Sequence, residues 1–161
     1  MRALLLLVCT ALAAAALMAS PGHATSVASS AEYSRGVWRI CSGALLFDHA
    51  HDMSTRADAL SIAHDIRAST ARRLVRVSAL SAPAELRGIS SRWISSQRRL
   101  AASYADNWVR IYDAVEAART PAQQAALPRV LHRLVHAPDR LRHVAGRLEL
   151  KLRVPDCTGG G

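Results

Sequence analysis

The sequence predicts an all-α fold, an up-down-up-down four-helix bundle with one disulfide tying the C-terminal tail to helix 1. Three observations lead there. Apolar residues recur at three- and four-residue spacing over long stretches. No alternating apolar and polar run bounded by turn dipeptides marks a strand. Two cysteines, Cys41 and Cys157, remain once an export signal is set aside.

Residues 1–24 read as that signal. Arg2 supplies the positive start, Leu4 to Leu17 is apolar apart from Thr10, and Gly22-His23-Ala24 fits the small-x-small cleavage rule, with Leu17-Met18-Ala19 as a second candidate. The apolar run is too short to span a bilayer, and no later stretch is apolar enough to do so. The expectation is a secreted, extracytoplasmic chain whose mature part has no transmembrane segment. Cleavage after Ala24 leaves 137 residues (161 − 24), the size of one domain with one core. It also removes Cys9, and two cysteines in an oxidising compartment have one intramolecular pairing.

Residues 25–31 read as a flexible Ser/Ala spacer, 32–157 as the bundle, and 158–161 as a disordered tail. Helix 1 is expected from Tyr33 to Asp52, with Tyr33, Val37, Ile40, Ala44 and Phe47 on one face. Trp38, Cys41 and Leu45 form a second apolar flank, which the Val154–Cys157 tail is expected to cover. Ser54 or Thr55 caps helix 2, with Asp58 in its first turn. Its stripe is Ala59, Ile62, Ile66, Thr70, Val77 and Leu80, and Arg73 falls inside that stripe, either at the bundle end or paired internally with a carboxylate.

Ala82-Pro83 restarts the chain as helix 3. Leu86, Ile89, Trp93, Leu100, Tyr104, Trp108, Ile111 and Val115 keep helical spacing for some thirty residues, interrupted at Ser96 and Gln97. Thr120-Pro121 stops it. Helix 4 carries Val130, Leu134, Leu141, Val144, Leu148 and Leu152, interrupted by Pro128 and Pro138. The stripe keeps phase across Pro138, which predicts a kink or two collinear pieces instead of a reversal.

The formal net charge is +9, yet 20 of the 21 basic residues are Arg, so the arginine excess alone is weak evidence for a nucleic-acid partner. Its distribution says more: residues 31–65 carry −2, 66–105 carry +7, 106–128 carry −1 and 129–161 carry +4. The bundle reading places Arg72, Arg73, Arg76, Arg87, Arg147 and Arg153 at one end. His49, His51, Asp52, Asp113 and Glu116 fall at the other. Arg67, Arg72, Arg73 and Arg76, with Arg98 and Arg99, suit an anionic partner: nucleic acid, a lipid surface or a cell-wall polymer.

His132 and His136 stand one helical turn apart, the spacing at which two imidazoles share one metal ion, and Asp139 and His143 continue the line. That line lies opposite the apolar stripe, which favours a solvated face. His51-Asp52 and His64-Asp65 resemble the paired ligands of the HD-type phosphohydrolases, but His64 and Asp65 turn away from the helix-2 stripe. No Gly-x-Ser-x-Gly, phosphate-cradling Gly-rich loop or Cys-x-x-Cys-His occurs. Ser90-Ser91 and Ser95-Ser96 have no evident base, no carboxylate pair stands out, and no cofactor is implied.

The export signal, the cysteine in the first helix, the Leu80-to-Pro83 Leu-x-x-Pro and the closing Leu152-x-Val154-Pro155-x-Cys157 resemble small exported helical proteins of actinobacterial type. The resemblance implies export, helices and one disulfide, and carries no catalytic residues. The leading expectation is a non-enzymatic exported module, binding or structural, that binds a partner (a protein or an anionic polymer) or presents a surface. A His132/His136 metal or haem site and a basic anion-binding surface are the alternatives.

Overall fold

The computed structural model describes residues 28–42, 54–154 and 157. The described residues are helical, without strands: α1 Ser30–Ser42, α2 Arg56–Ser78, α3 Ala84–Ala117, α4 Pro121–His136 and α5 Asp139–Leu152. The signal, the expected second half of helix 1 with His49, His51 and Asp52, and the last four residues lie outside the described part.

Local chemistry sets the boundaries. α1 starts at Ser30, inside the stretch read as a spacer, because Ser29 and Glu32 close its first turn reciprocally through the Ser29 amide and hydroxyl. α2 begins as its sequence predicts: the Thr55 hydroxyl accepts from the Asp58 amide while the Asp58 carboxylate accepts from the Thr55 amide. Thr120 and Gln123 repeat that arrangement for α4, with Pro121 at the first helical position. Pro128, expected to interrupt, does not break α4. It sits exposed, so the amide-hydrogen acceptor that its ring displaces is left facing water. The break comes at Ala137-Pro138, and Pro138 is buried.

Contacts at successive positions fix how the helices run against α3. Ser30 meets Glu85 and Tyr33 meets Ser90. Arg56 meets Asp113 and Arg67 meets Asp106. Asn107 donates to the Leu134 carbonyl, Arg142 to the Tyr104 hydroxyl, and Gln97 to Glu149. From Leu134 to Glu149 the chain advances along α3 in one sense, so Pro138 joins two consecutive pieces and does not turn the chain back.

Two apolar clusters fill the interior. The larger joins Tyr33, Val37, Ile40, Cys41, Leu74, Val77, Trp93, Leu152, Val154 and Cys157. The smaller joins Ala63, Ile66, Ala101 and Ala105, with Tyr104 and Trp108 against it. Cys41 and Cys157 come together 116 residues apart in sequence with Cα atoms 5.3 Å apart, the separation of a disulfide. Arg153, in the left-handed region at φ 55°, turns the chain off α5 so that Val154 drops into the core. Among the described residues of the tail, Val154 and Cys157 join the cluster around Cys41, and Leu45 lies outside the described part. Trp38, expected under the tail, is 45 % exposed.

Candidate anion-binding groove

A groove of 760 Å³ runs between the first half of α3 and α5, lined by Arg92, Ser95 and Arg99 from one side and Val144, Arg147, Leu148, Leu150 and Lys151 from the other. Arg92 and Arg99 are seven apart, and Arg147 and Lys151 four apart, so each pair lies on one face of its helix. The four cations are exposed. Among the described residues none of the four makes an ion pair, and no acidic side chain lines the groove. Arg92 donates to the Gly88 carbonyl at 3.2 Å, which directs its guanidinium back along its own helix.

The packing that positions these groups centres on Glu149. It projects from α5 two residues before Lys151, on the opposite face, and is only 3 % exposed. Its Oε1 accepts from Trp93 Nε1 at 3.2 Å and from Gln97 Nε2 at 3.0 Å. Buried polar groups persist where they are bonded, and these bonds hold α5 at one rotational setting against α3. Ser34 Oγ, donating to the Leu152 carbonyl at 2.6 Å, ties the end of α5 to α1.

The basic groups predicted to act together are divided by the fold. Arg67 is spent on Asp106 across α2 and α3. Arg98 and Arg99 leave α3 on different sides, only Arg99 entering this groove. Arg73 makes no ion pair with a carboxylate among the described residues and lies beside Cys41 and Cys157. Its Nη2 donates to Thr70 Oγ1 at 3.3 Å, its Nε is buried without a hydrogen-bond partner among the described residues, and burial lowers its pKa. Asp113 and Glu116, at the far end of α3, pair with Arg56 and Arg119.

The helix-4 histidines are brought together, with ring centroids of His132 and His136 4.3 Å apart. His136 Nδ1 is 2.8 Å from Asp139, which Arg142 also approaches at 3.3 Å. The hydrogen bond to His136, then the charges of Arg142, His136 and His143, hold the Asp139 carboxyl below its ordinary value. Both histidines are exposed, and among the described residues no three His, Cys, Asp or Glu side chains are grouped to hold a metal. His64 and Asp65 are exposed, and His51 and Asp52 lie outside the described residues.

Sequence reasoning missed Glu149 and the groove. A carboxylate between Leu148 and Leu152 reads as an outward residue unless the break at Ser96 and Gln97 is taken as the mark of a polar partner. The cations lie in two segments far apart in sequence, the +7 and +4 stretches, which helix packing brings face to face. No protein family, curated protein or solved structure matches the chain.

Proposed function

We propose that the mature chain is an exported, non-enzymatic helical binding module whose α3–α5 groove holds a multivalent anion. The observation that carries this reading is the convergence on one groove of Arg92, Arg99, Arg147 and Lys151, with neither an ion-pair partner nor a lining acid among the described residues. Four like charges gathered in this way repel one another. A bound phosphate-bearing group relieves that repulsion and accepts charge-assisted hydrogen bonds from Arg and Lys. Val144 and Leu148 on the wall displace water and strengthen the attraction.

In this reading the scaffold is an up-down-up-down bundle, with α4 and α5 together forming the last stave. Cys41 and Cys157 are oxidised to a bond outside the cytoplasm, where such bonds persist.

Tripolyphosphate titrated by calorimetry tests the groove. Binding should weaken steadily as salt rises. The Arg99→Ala/Lys151→Ala double variant should lose about tenfold or more, since a hydrogen bond to a charged group contributes ~1.5–3 kcal/mol. Binding that ignores both salt and the double substitution would overturn the reading.

A further inference from the structure

We propose that the ligand is a base-free chain of phosphates, lying across the outer face of α3 and filling both the α3–α5 groove and a second cleft beside it. This rests on the anion-binding reading above and extends it from a single anion to a polymer.

The second cleft, 440 Å³, lies on the other side of α3 where the end of α2 approaches it. Its polar lining is Ser78, Arg87, Ser90, Ser91, Ser95 and Arg98 with the Tyr33 hydroxyl, and no acidic side chain lines it among the described residues. Ser95 lines both clefts and is exposed, so the two meet there. Helical spacing accounts for the arrangement: 87, 91, 95 and 98 form one stripe of α3, and 92, 95 and 99 form the next. Between Leu86 and Ala105 the sequence has no acid. Arg87 and Arg99 are twelve residues apart, about 18 Å along the axis. A lone anion fills one cleft. A chain crossing at Ser95 meets Arg147, Lys151, Arg92 and Arg99 on one side and Arg87 and Arg98 on the other.

The surroundings also select what lies between the phosphates. Serine hydroxyls and Arg side chains contact phosphate oxygens without regard to what the phosphates carry. Binding of single-stranded nucleic acid draws further affinity from aromatic faces on which bases stack. Among the described residues neither cleft offers one: Tyr33, which lines the second cleft, is 2 % exposed and its hydroxyl is engaged with Ser90. Polyphosphate and polyol-phosphate chains share the chemistry that remains, a repeated phosphate with no ring to stack.

The test titrates the mature chain with tripolyphosphate, long-chain polyphosphate, poly(glycerol phosphate), oligothymidine and anionic phospholipid vesicles. All are compared at equal phosphate and salt concentration, with an Arg87→Ala/Arg98→Ala variant checked for helicity by circular dichroism. At least one long phosphate chain should bind about tenfold or more tighter than tripolyphosphate, through simultaneous occupation of linked subsites. Whichever binds more tightly identifies the source. The Arg87→Ala/Arg98→Ala variant should lose that gain while keeping its affinity for tripolyphosphate.

Equal affinity per phosphate for short and long chains would overturn the proposal and leave the groove reading standing. A length gain that survives the double substitution would overturn it too, as would oligothymidine binding as tightly as the best base-free chain. No binding of tripolyphosphate would remove the groove reading. Vesicle binding without any response to the phosphate chains would replace the polymer by a lipid surface.

Discussion

Around Cys41 the interior is built from Tyr33, Val37, Leu74, Trp93 and Leu152, drawn from α1, α2, α3 and α5. Around Ala105 it is built from Ala63, Ile66 and Ala101, drawn from α2 and α3. The first region is crossed by links between distant segments: Cys41 to Cys157, Ser34 to the Leu152 carbonyl, and Trp93 and Gln97 to Glu149. The second relies on small side chains that let two helices approach closely. α4, which runs alongside, buries none of its residues and is held chiefly by Asn107 and by partly covered leucines. Apolar area removed from water is the main stabilising quantity. The described part is therefore firm around Cys41 and Cys157 and softer where α4 lies, and the basic groove belongs to the firm half.

The largest test of that contrast is the sulfur pair. Cys41→Ser with Cys157→Ser should lower stability by up to about 4–5 kcal/mol, the chain-entropy value for a loop of this length. The loss is read from urea melts. An unchanged midpoint would mean that the firm half owes nothing to the link.

Glu149→Leu comes next. It leaves Trp93 Nε1 and Gln97 Nε2 buried without their acceptor and should cost ~1–3 kcal/mol, whereas Glu149→Gln, which keeps a carbonyl oxygen in place, should cost less. If the two substitutions behave alike in thermal melts, the carboxylate's hydrogen bonds are not what holds α5.

The smallest effect is on pH, at the junction of α4 and α5. Asp139 has its pKa lowered from 3.8 in the folded chain, first by His136 and then by Arg142, His136 and His143. A depressed carboxyl contributes stability that is present above its unfolded value and is lost as pH falls through the folded one. Amides of α4 should therefore lose hydrogen-exchange protection in acid before those of α1 and α3. Simultaneous loss throughout would erase the distinction between the two regions.

Much of this architecture was legible residue by residue. Thr55 with Asp58 announced the start of α2 because capping is local chemistry, whereas Thr120-Pro121, read as the stop of α3, proves also to cap α4. The stripe from Leu86 to Val115 announced α3, and the phase kept across Pro138 announced two consecutive pieces. Pairing of the cysteines followed from their number.

What stayed hidden depends on rotation and contact between helices. Arg73 was expected at the bundle end or paired with a carboxylate; among the described residues it donates to Thr70, and its turn of α2 faces Trp93, Gln97 and the cysteines. Trp38 was expected under the tail and is 45 % exposed, while Val154 and Cys157 pack into the cluster with Val37, Cys41 and Leu152. The groove could not be read at all, because its two walls are some fifty residues apart in sequence. Spacing along one helix says nothing about which face another helix will oppose.

Glu149 has one more consequence, for the geometry of binding. Successive residues turn by about 100° around a helix, so a roll of α5 by a single position would swing Arg147 and Lys151 out of their alignment with Arg92 and Arg99. The inward carboxylate acts as a key in a keyway that prevents such a roll, and the outward charges are set in place before any ligand arrives. Ligand affinity should then report on a side chain that no ligand can touch.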